Sequence, residues 1–388
     1  MEKNELIQLS DKYDTPLFVI NLDKIKENFL RFKKAFPESV IAYSYKTNYY
    51  PEIIKLIESL GGVPEVVSGM ELGFAKKVSK LNNAIFNGPA KTKEELEFAI
   101  KNEIFSINID NLDELSLLCK ISNNIDKKIN VGLRLNPEID IDGKVSFVSA
   151  DSKLGMKKED VFKAIKIIKN NKKINFRLIH LHLGTQIINP KSYVQSLKEI
   201  KKIIDKEKIK IGYIDLGGGF ANETILNQNK TSIFDFAKDI IKEKKKLGLS
   251  QKLIFEPGRY IVDDGCSFIS KIRVIKENWI ILDVGVNCLI PLKSADYKIK
   301  FFDKIKNKKY NFAGNLCFGA DIIAKNVLSP NLKVGDIIQI ENSGAYTLSM
   351  SKQFICPFPA IVIKENRKYR LSLKRKTSEE IFNFWNQE

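Results

Sequence analysis

Histidine, cysteine and tryptophan are scarce in this chain of 388 residues, which has two histidines, five cysteines and two tryptophans. The cysteines are odd in number, lie far apart and form no C-x-x-C pair. This spacing argues against a disulfide framework and against a zinc site. We therefore expect no metal and a reducing, cytoplasmic environment. The five are Cys119, Cys266, Cys288, Cys317 and Cys356.

Long hydrophobic runs are also missing. No stretch of about 18 apolar residues occurs, and the start of the chain lacks the apolar segment of a signal peptide. We therefore expect no contact with a membrane. The hydrophobic content of 44% is ordinary for a globular protein, and the length allows one large domain and a smaller one.

Positive charge is abundant, with a formal net charge of +17. The lysines are spread over most predicted helices with glutamates among them, and no basic arm or aromatic-basic motif stands apart. We therefore expect no nucleic-acid partner. The charge is expected to attract anionic small molecules only mildly.

Apolar strand-like runs alternate with amphipathic helical stretches in the first two thirds of the chain. Eight such strands with helices between them predict a (β/α)₈ TIM barrel, a fold of the α/β class. A doubly wound open sheet shares this alternation and is the alternative. The predicted strands are 40–46, 64–68, 84–88, 105–110, 129–135, 177–184, 212–219 and 252–258. The predicted helices are 51–60, 69–80, 92–102, 111–121, 159–171, 191–206 and 232–247.

A second, mostly β domain is predicted after the barrel, because the remaining strand-like runs are separated by turn-forming residues. We assign residues 1–22 to an N-terminal segment packed with this β domain, 23–262 to the barrel and 263–388 to the C-terminal β domain. The strand-like runs are 15–22, 267–275, 279–284, 338–342 and 360–364.

Lys46 closes the apolar run that begins at Val40, and Pro51 opens the helical pattern that follows. In a barrel this places the lysine at the carboxyl end of a strand, where barrel active sites lie. A lysine in partly apolar surroundings is suited to Schiff-base chemistry. The chain is full of solvated lysines, so this segment alone does not single Lys46 out.

The two histidines, His180 and His182, lie two positions apart on the predicted strand 177–184. Residues at i and i+2 of a strand point to the same face, so both can line the barrel mouth. A zinc pair is disfavoured because no Glu or Cys lies at a suitable ligand spacing beside them. The alternative is a pair of core histidines, or one buried and one exposed.

Two later strands end in groups that suit an anion and a buried charge. The consecutive glycines 217–219 leave backbone N–H groups open to a phosphate, and Arg259 would add charge-assisted hydrogen bonds. Glu256 would point into the barrel mouth, where it needs a cationic partner such as a protonated ring nitrogen. A salt bridge between Glu256 and Arg259 is the alternative.

A lysine amine, a phosphate cradle, a flat histidine ring and an inward carboxylate together fit pyridoxal 5'-phosphate. None of these features is specific by itself. In this hypothesis Lys46 binds the aldehyde of the cofactor, the glycines and Arg259 hold its phosphate, and Glu256 keeps its ring nitrogen protonated.

The motifs resemble, in the same order, those of the barrel-type pyridoxal-phosphate decarboxylases of diaminopimelate, ornithine and arginine, which share the alanine-racemase fold. The resemblance covers nearly the whole chain and is nearest to the diaminopimelate branch. Tyr43-Ser-Tyr-Lys46-Thr-Asn48 is similar to the family's Y-A-x-K-A-N, and Glu65-Val-Val-Ser68-Gly-Met-Glu71-Leu to its D-V-V-S-x-G-E-L. His180-Leu-His182-Leu-Gly-Thr185-Gln186 is similar to H-x-H-I-G-S-Q, and Glu256-Pro-Gly258-Arg259 is identical to E-P-G-R.

This resemblance implies a role for each matching barrel residue. Lys46 holds the cofactor, His182 stacks on its ring and Glu256 faces its ring nitrogen. The implied phosphate contacts are Thr185, Gly217, Gly218, Gly219, Gly258 and Arg259.

In the β domain, Gly314-Asn-Leu-Cys317-Phe-Gly-Ala-Asp321 resembles the family's G-P-x-C-E-x-x-D, and Gly344-Ala-Tyr346-Thr-Leu-Ser-Met350 its G-A-Y-x-x-x-M. The resemblance implies that Cys317 reaches the active site of the partner subunit and assists protonation of the product carbon. It also implies that Tyr346 contacts the cofactor phosphate and that the protein is a homodimer with shared sites.

The departures from the family concern the substrate. Phe318 stands where the family usually has an acidic residue that reads the distal amino group. The segment that ends in Lys293 lacks the arginine that diaminopimelate enzymes use for the distal carboxylate. Losing a buried charged partner costs about 2–5 kcal/mol in binding. Phe318, Asp321 and Lys293 are the predicted substrate residues.

The resemblance implies a pyridoxal-phosphate-dependent amino-acid α-decarboxylase, with conversion of meso-diaminopimelate to L-lysine as the default reaction. The alternative is a related decarboxylase of another amino acid or of a carboxylate-bearing biosynthetic conjugate. A racemase of the same fold usually places an arginine at the ring nitrogen, where this chain has Glu256. A non-catalytic regulator should have lost Lys46 or Cys317, and both are present.

Overall fold

The structure is a computed structural model that describes residues 1–302 and 307–386. The chain divides into two compact units. One unit, Lys26–Ile261, is called the barrel unit below. The other, Met1–Ile25 with Val262–Glu388, is called the sheet unit.

The secondary structure of the described residues is given in chain order. The strands are β1 (Leu17–Asn21), β2 (Val40–Ser44), β3 (Val63–Val66), β4 (Ile85–Phe86), β5 (Ser106–Ile109), β6 (Ile129–Arg134), β7 (Val145–Ser146), β8 (Ile174–His180), β9 (Gly184–Thr185), β10 (Tyr213–Asp215), β11 (Lys252–Phe255), β12 (Cys266–Lys276), β13 (Trp279–Leu282), β14 (Lys298–Lys300), β15 (Lys308–Ala313), β16 (Ile322–Ser329), β17 (Ile337–Glu341), β18 (Ala360–Glu365) and β19 (Lys368–Leu373). The α-helices are α1 (Lys3–Tyr13), α2 (Leu22–Ala35), α3 (Pro51–Ser59), α4 (Gly69–Val78), α5 (Lys93–Lys101), α6 (Leu112–Ser122), α7 (Lys158–Asn170), α8 (Lys191–Glu207), α9 (Glu223–Gln228), α10 (Ile233–Lys246), α11 (Arg259–Val262) and α12 (Ser378–Trp385).

Eight parallel strands of the barrel unit form a closed barrel in the order β2, β3, β4, β5, β6, β8, β10 and β11. The barrel closes where β11 pairs with β2, with Phe255 opposite Ile41. All four positions of β5 are buried, as expected of a parallel strand covered on both faces. The predicted TIM barrel is confirmed, and the alternative of an open sheet is wrong because the sheet has no free edge.

Polar side chains set the starts of several barrel helices. Ser68, Thr92, Asn111 and Ser232 each accept a hydrogen bond from the backbone N–H three residues later. Such a cap satisfies an N–H group that has no partner inside its own helix. Ser68 and Asn111 lie two residues past the ends of β3 and β5, so the chain enters α4 and α6 directly after these strands.

Several predicted strands extend beyond the observed ones. Strand β8 ends at His180 and β10 ends at Asp215, although the predictions ran on to residues 184 and 219. The residues that follow stay buried, as Leu181 and Leu216 show. An apolar run therefore continues past the last strand pairing, and periodicity alone cannot separate a buried loop from a strand.

The sheet unit is built on a nine-stranded sheet with the path β16, β15, β13, β12, β1, β18, β19 and with β17 joining β12 to β14. The N-terminal strand β1 lies between β12 and β18, with Leu17 opposite both Ile269 and Ala360. The N-terminal segment therefore completes the C-terminal sheet. Its core cluster comprises Leu6, Leu9, Leu17, Val19, Ile269, Ala360 and Val362.

Four strands of this sheet, β14, β15, β16 and β19, have no counterpart among the predicted runs. Strand β19 has no buried position and β16 has one, Ser329. Strands that are half-exposed and rich in lysine show no clear apolar alternation, so their pairing depends on neighbours far away in the chain. No helix in residues 1–302 and 307–386 is long and apolar enough to cross a membrane.

Candidate active site

Lys46 follows β2 in a short 3₁₀ turn, Tyr45–Thr47, at the carboxyl end of the barrel. Its Nζ lies 2.5 Å from Oε2 of Glu65 at the end of β3. Ser44 donates a second hydrogen bond to the same oxygen. The lysine side chain is 31% exposed and the Glu65 side chain is fully buried, so the amine can be reached while its counterion is shielded.

Glu256 comes directly after β11 and is buried. Its Oε1 accepts a hydrogen bond of 2.6 Å from the amide of Asn87, and its Oε2 lies 3.4 Å from Nε2 of His180. Burial opposes ionisation of Glu256, but the charges of His180 and Lys46 outweigh it and hold the pKa of this carboxyl well below its usual range. Glu256 is therefore an anion inside the barrel mouth.

Asp215 ends β10 and is buried beside Glu256. Burial and the neighbouring charge of Glu256 raise the pKa of Asp215 well above its usual value. The two acids thus take opposite states, with Asp215 protonated and Glu256 ionised. Ligand atoms of His180, Asp215 and Glu256 lie within 4.8 Å of one another, a spacing that would also suit a metal ion.

His182 lies in the loop after β8, two residues past the strand end, so the predicted arrangement of both histidines on one strand is wrong. Its Nδ1 accepts a hydrogen bond of 3.1 Å from the N–H of Gly218, and its ring stacks on Phe147 with 5.6 Å between centroids. Burial and the charges of Lys46 and Arg134 lower the pKa of His182 to about 3. The ring is therefore a neutral imidazole that carries its proton on Nε2.

The glycine turn at 217–219 is fixed by close backbone contacts. A Cβ at any of the three would lie 2.3–2.5 Å from a backbone oxygen, so only glycine fits. The N–H of Gly217 donates to Oδ1 of Asp215 at 2.9 Å, and that of Gly218 donates to His182. These two N–H groups orient side chains of the site. The contact of the glycine turn with a phosphate stays a prediction.

Three further predicted phosphate residues also lie in the barrel unit. Gly258 packs so closely that a Cβ would lie 2.0 Å from Oγ1 of Thr47. Arg259 begins α11 and is buried. Thr185 is buried in β9, which pairs with the two-residue strand β7. Their contacts with a phosphate stay predictions.

Glu71 lies in the first turn of α4 and accepts a hydrogen bond of 2.8 Å from the N–H of Val67. Burial and the negative charge of Glu65 raise the pKa of Glu71 to about 7. The sequence contains Glu71 in one of its motifs, but gives no indication that this carboxyl titrates near neutral pH.

Cys317 and Phe318 are both exposed in the sheet unit, with Phe318 at 55%. Asp321 is buried, and its two carboxylate oxygens accept hydrogen bonds from the N–H groups of Val286 at 2.8 Å and Leu316 at 2.9 Å. Asp321 therefore ties down the loop that carries Cys317. Its predicted contact with substrate stays a prediction.

Tyr346 has a positive φ of 63°, a conformation that costs a bulky side chain energy and occurs where the surrounding structure enforces it. Lys293 is exposed. Cys317, Phe318, Asp321, Lys293 and Tyr346 all belong to the sheet unit, whereas Lys46, His182 and Glu256 belong to the barrel unit.

Sequence reasoning missed Asn87, whose amide also donates a hydrogen bond of 2.9 Å to Oε1 of Glu65. Glu65 was within a quoted motif but received no role, Asp215 was not singled out, and His180 was placed at the barrel mouth without a chemical role. The signal available for all four was position, since each is a polar residue at or just past the carboxyl end of a barrel strand.

The described residues fit pyridoxal phosphate on three observations. A partly exposed lysine amine lies at the barrel mouth, an ionised carboxylate is buried in the same mouth, and a neutral imidazole stands on the loop after β8. The amine suits an aldehyde, and the carboxylate suits a protonated ring nitrogen.

Comparison with known proteins agrees with this geometry. Residues 22–263 match the family described as pyridoxal-dependent decarboxylase, pyridoxal binding domain, and residues 193–344 match its C-terminal sheet domain. The chain is 30% identical to a diaminopimelate decarboxylase of Methanocaldococcus jannaschii over 90% of this chain and 86% of that one. It is 28% identical to that of Aquifex aeolicus over 97% and 93%.

A solved structure gives the same result for the fold. The crystal structure of the Helicobacter pylori diaminopimelate decarboxylase in complex with L-lysine has a TM-score of 0.89 and 27% identity, covering 99% of both chains. The family match spans well over half of this chain and includes every barrel strand. The chain therefore belongs to the pyridoxal-dependent decarboxylases.

Proposed function

We propose that this protein removes the α-carboxylate of an amino acid, with meso-diaminopimelate as the substrate and L-lysine as the product. The observation that carries the reaction type is the pair of Lys46 with its buried counterion and an ionised Glu256 in one barrel mouth. The substrate is supported by the names of the relatives, which are diaminopimelate decarboxylases over nearly the whole chain. A place in lysine biosynthesis follows from that substrate.

The bound cofactor supplies an electron sink for the electrons released as the carboxylate leaves. Lys46 is the covalent anchor, and Glu65 is the base nearest to its amine. Glu256, kept ionised inside the barrel, stabilises a proton on the ring nitrogen. His182, held by Gly218 and neutral, offers a flat face without adding charge.

We propose that Cys317 of a second copy delivers the proton to the product carbon, so that the protein works as a homodimer. The exposure of Cys317 and the fixing of its loop by Asp321 support this assignment. All five cysteines are free thiols, which suits a reducing cytoplasm.

A second candidate is a decarboxylase of another amino acid or of a carboxylate-bearing conjugate. The observation that favours it is Phe318, which presents an exposed aromatic ring where the family usually has an acid. Lys293, also exposed, would then meet a carboxylate at a different distance from the reacting carbon.

The test is product identification with the cofactor-loaded protein and meso-diaminopimelate. Formation of L-lysine and carbon dioxide in equal amounts supports the proposal. Exchange of the Cα configuration without release of carbon dioxide would instead indicate a racemase.

A further inference from the structure

The side-chain amide of Asn87 joins the two carboxylates of the active site. Asn87 is buried in the loop that follows β4. It donates one hydrogen bond of 2.9 Å to Oε1 of Glu65 and another of 2.6 Å to Oε1 of Glu256. An asparagine amide has two N–H groups, so its donating capacity is used up by these two acids.

The orientation of this amide is set by a second asparagine. Oδ1 of Asn87 accepts a hydrogen bond of 2.8 Å from Asn108, whose own Oδ1 accepts one of 2.7 Å from Ser106. Because each amide oxygen is occupied by a donor, turning Asn87 over would place its oxygen against two carboxylates. The hydrogen bonds from Ser106 to Asn108 and from Asn108 to Asn87 thus direct both N–H groups of Asn87 at Glu65 and Glu256.

Gly132 leaves room in the barrel for this chain of hydrogen bonds. A Cβ on Gly132 of β6 would lie 2.1 Å from Oδ1 of Asn108 and 2.6 Å from Cδ1 of Leu178. Any side chain at position 132 would therefore displace Asn108 and release the oxygen of Asn87.

Each of the two acids has its own polar neighbour at the carboxylate oxygen that does not bond Asn87. Glu65 meets Lys46 and Ser44, and Glu256 meets His180. Two carboxylates that share a site normally force one of them to take up a proton. A neutral double donor between them opposes that requirement, because it donates a hydrogen bond to each carboxylate.

We propose that Asn87 is a positioning residue for the decarboxylation: it keeps Glu65 directed at the amine of Lys46 and Glu256 ionised for the cofactor ring. This inference rests on the family's cofactor, but not on the identity of the amino-acid substrate. Asn87 acts through the two carboxylates to which it donates.

The test is the pH dependence of the visible absorbance of the cofactor-loaded protein, in the absence of substrate. The variant Asn87→Asp keeps the shape of the side chain and replaces a donor by an acid. The titratable and charged groups that face Glu65 and Glu256 are Lys46, Glu71, His180, His182 and Asp215. The nitrogen of Lys46, through which the cofactor is bound, is the cationic group that titrates in this measurement. An added acid near this nitrogen raises its pKa, so the pH midpoint of the absorbance change should rise by about one unit.

A second variant, Asn87→Leu, has the same branching and the same number of side-chain heavy atoms, but no donor. We expect kcat to fall about 10–100-fold and KM to change less than about threefold. Loss of the donor disturbs the two carboxylates, which act on the charge that develops in the transition state more than on binding of the substrate. The control is Asn130→Leu, which removes an amide that bonds Asn175 and the oxygen of Ile104 at the amino-terminal end of β6. This control should keep the wild-type midpoint and kcat.

An absorbance midpoint that stays within about 0.2 unit in Asn87→Asp, or that moves down, overturns the proposal. If Asn87→Asp does not fold, Asn108→Ser leaves Asn87 in place but removes its orienting donor without adding an acid. A fall in kcat smaller than that of Asn87→Leu is then expected, and an unchanged kcat overturns the proposal. The titration requires no substrate, so a wrong substrate assignment leaves it readable. A protein that binds no cofactor at all would overturn the proposed function instead.

Discussion

Nζ of Lys46 lies 2.5 Å from Oε2 of Glu65, a carboxylate with no exposed surface. The amine must lose a proton before it can attack a carbonyl, and Glu65 is the acceptor that lies against it. The pair therefore combines an accessible nucleophile with a shielded base. This relationship accounts for the position of the lysine in a turn just past the strand.

Replacing Lys46 by alanine should remove the visible absorbance of the bound cofactor and lower kcat by at least about 10³-fold, since a covalent anchor has no substitute in the site. The fold should persist because a partly exposed lysine in a turn contributes little packing. Circular dichroism and the absorbance spectrum measure the two effects. Lys55→Ala, at an exposed position of α3, is the control and should behave as wild type. Normal turnover in Lys46→Ala would refute the assignment.

His182 should remain a neutral imidazole with its proton on Nε2 from pH 5 to pH 9, because its pKa is lowered to about 3. The chain has two histidines, so ¹⁵N-histidine NMR gives two ring systems, and the variant His182→Gln identifies one of them. Protonation of the His182 ring near pH 6.5 would contradict the described burial and hydrogen bond.

Glu71 should make stability depend on pH in the opposite sense to an ordinary carboxylate. Its folded pKa is about 7 against 4.5 for the unfolded chain. The contribution of the neutral Glu71 carboxyl to the free energy of unfolding is therefore fully present below pH 4.5, and it is lost as the pH rises through 7. Glu71→Gln, which stays neutral, should gain on the order of 3 kcal/mol in free energy of unfolding relative to wild type between pH 4.5 and pH 8.

The measurement for Glu71 is the difference between variant and wild type in urea unfolding, followed at several pH values. Glu97→Gln, an exposed position on α5, is the control. A difference that stays flat across this pH range would show that the Glu71 carboxyl ionises at its ordinary pKa.

Asp321→Asn should loosen the loop of Cys317. The carboxylate accepts from two backbone N–H groups, and an amide has only one oxygen, so one of these N–H groups loses its acceptor. Each unpaired buried N–H costs about 1–3 kcal/mol. We expect kcat to fall and the alkylation rate of Cys317 to change, while the cofactor absorbance remains. Asp336→Asn, which disturbs one hydrogen bond to Lys333 in a turn, is the control. Unchanged kcat and alkylation in Asp321→Asn would show that this loop does not depend on the carboxylate.

Much of the barrel and part of its site follow from local sequence. The positions of Lys46 and Glu256 are predictable because each stands where an apolar run ends, and the carboxyl ends of barrel strands meet in one place. The glycine turn is also visible in the sequence. The acceptors of its N–H groups could not be predicted, because they depend on how β8 and β10 lie in three dimensions.

The role of Asn87 could not be predicted from its neighbours. Its bond to Glu256 joins residues 169 positions apart, and no local pattern distinguishes it from a turn asparagine beside Gly88. The same holds for the pKa of Glu71, which depends on burial by distant residues. Strand β16 escaped prediction for a related reason, since only one of its residues is buried and its pairing with β15 supplies its order.

The most direct test of the account is carbon dioxide release by the cofactor-loaded protein from meso-diaminopimelate, lysine, ornithine, arginine and glutamate, each offered separately. The account predicts release from meso-diaminopimelate, with L-lysine as product, well above the other four. Release from none of the five by a protein that shows the cofactor absorbance, together with exchange of the Cα configuration, would contradict the assignment as a decarboxylase.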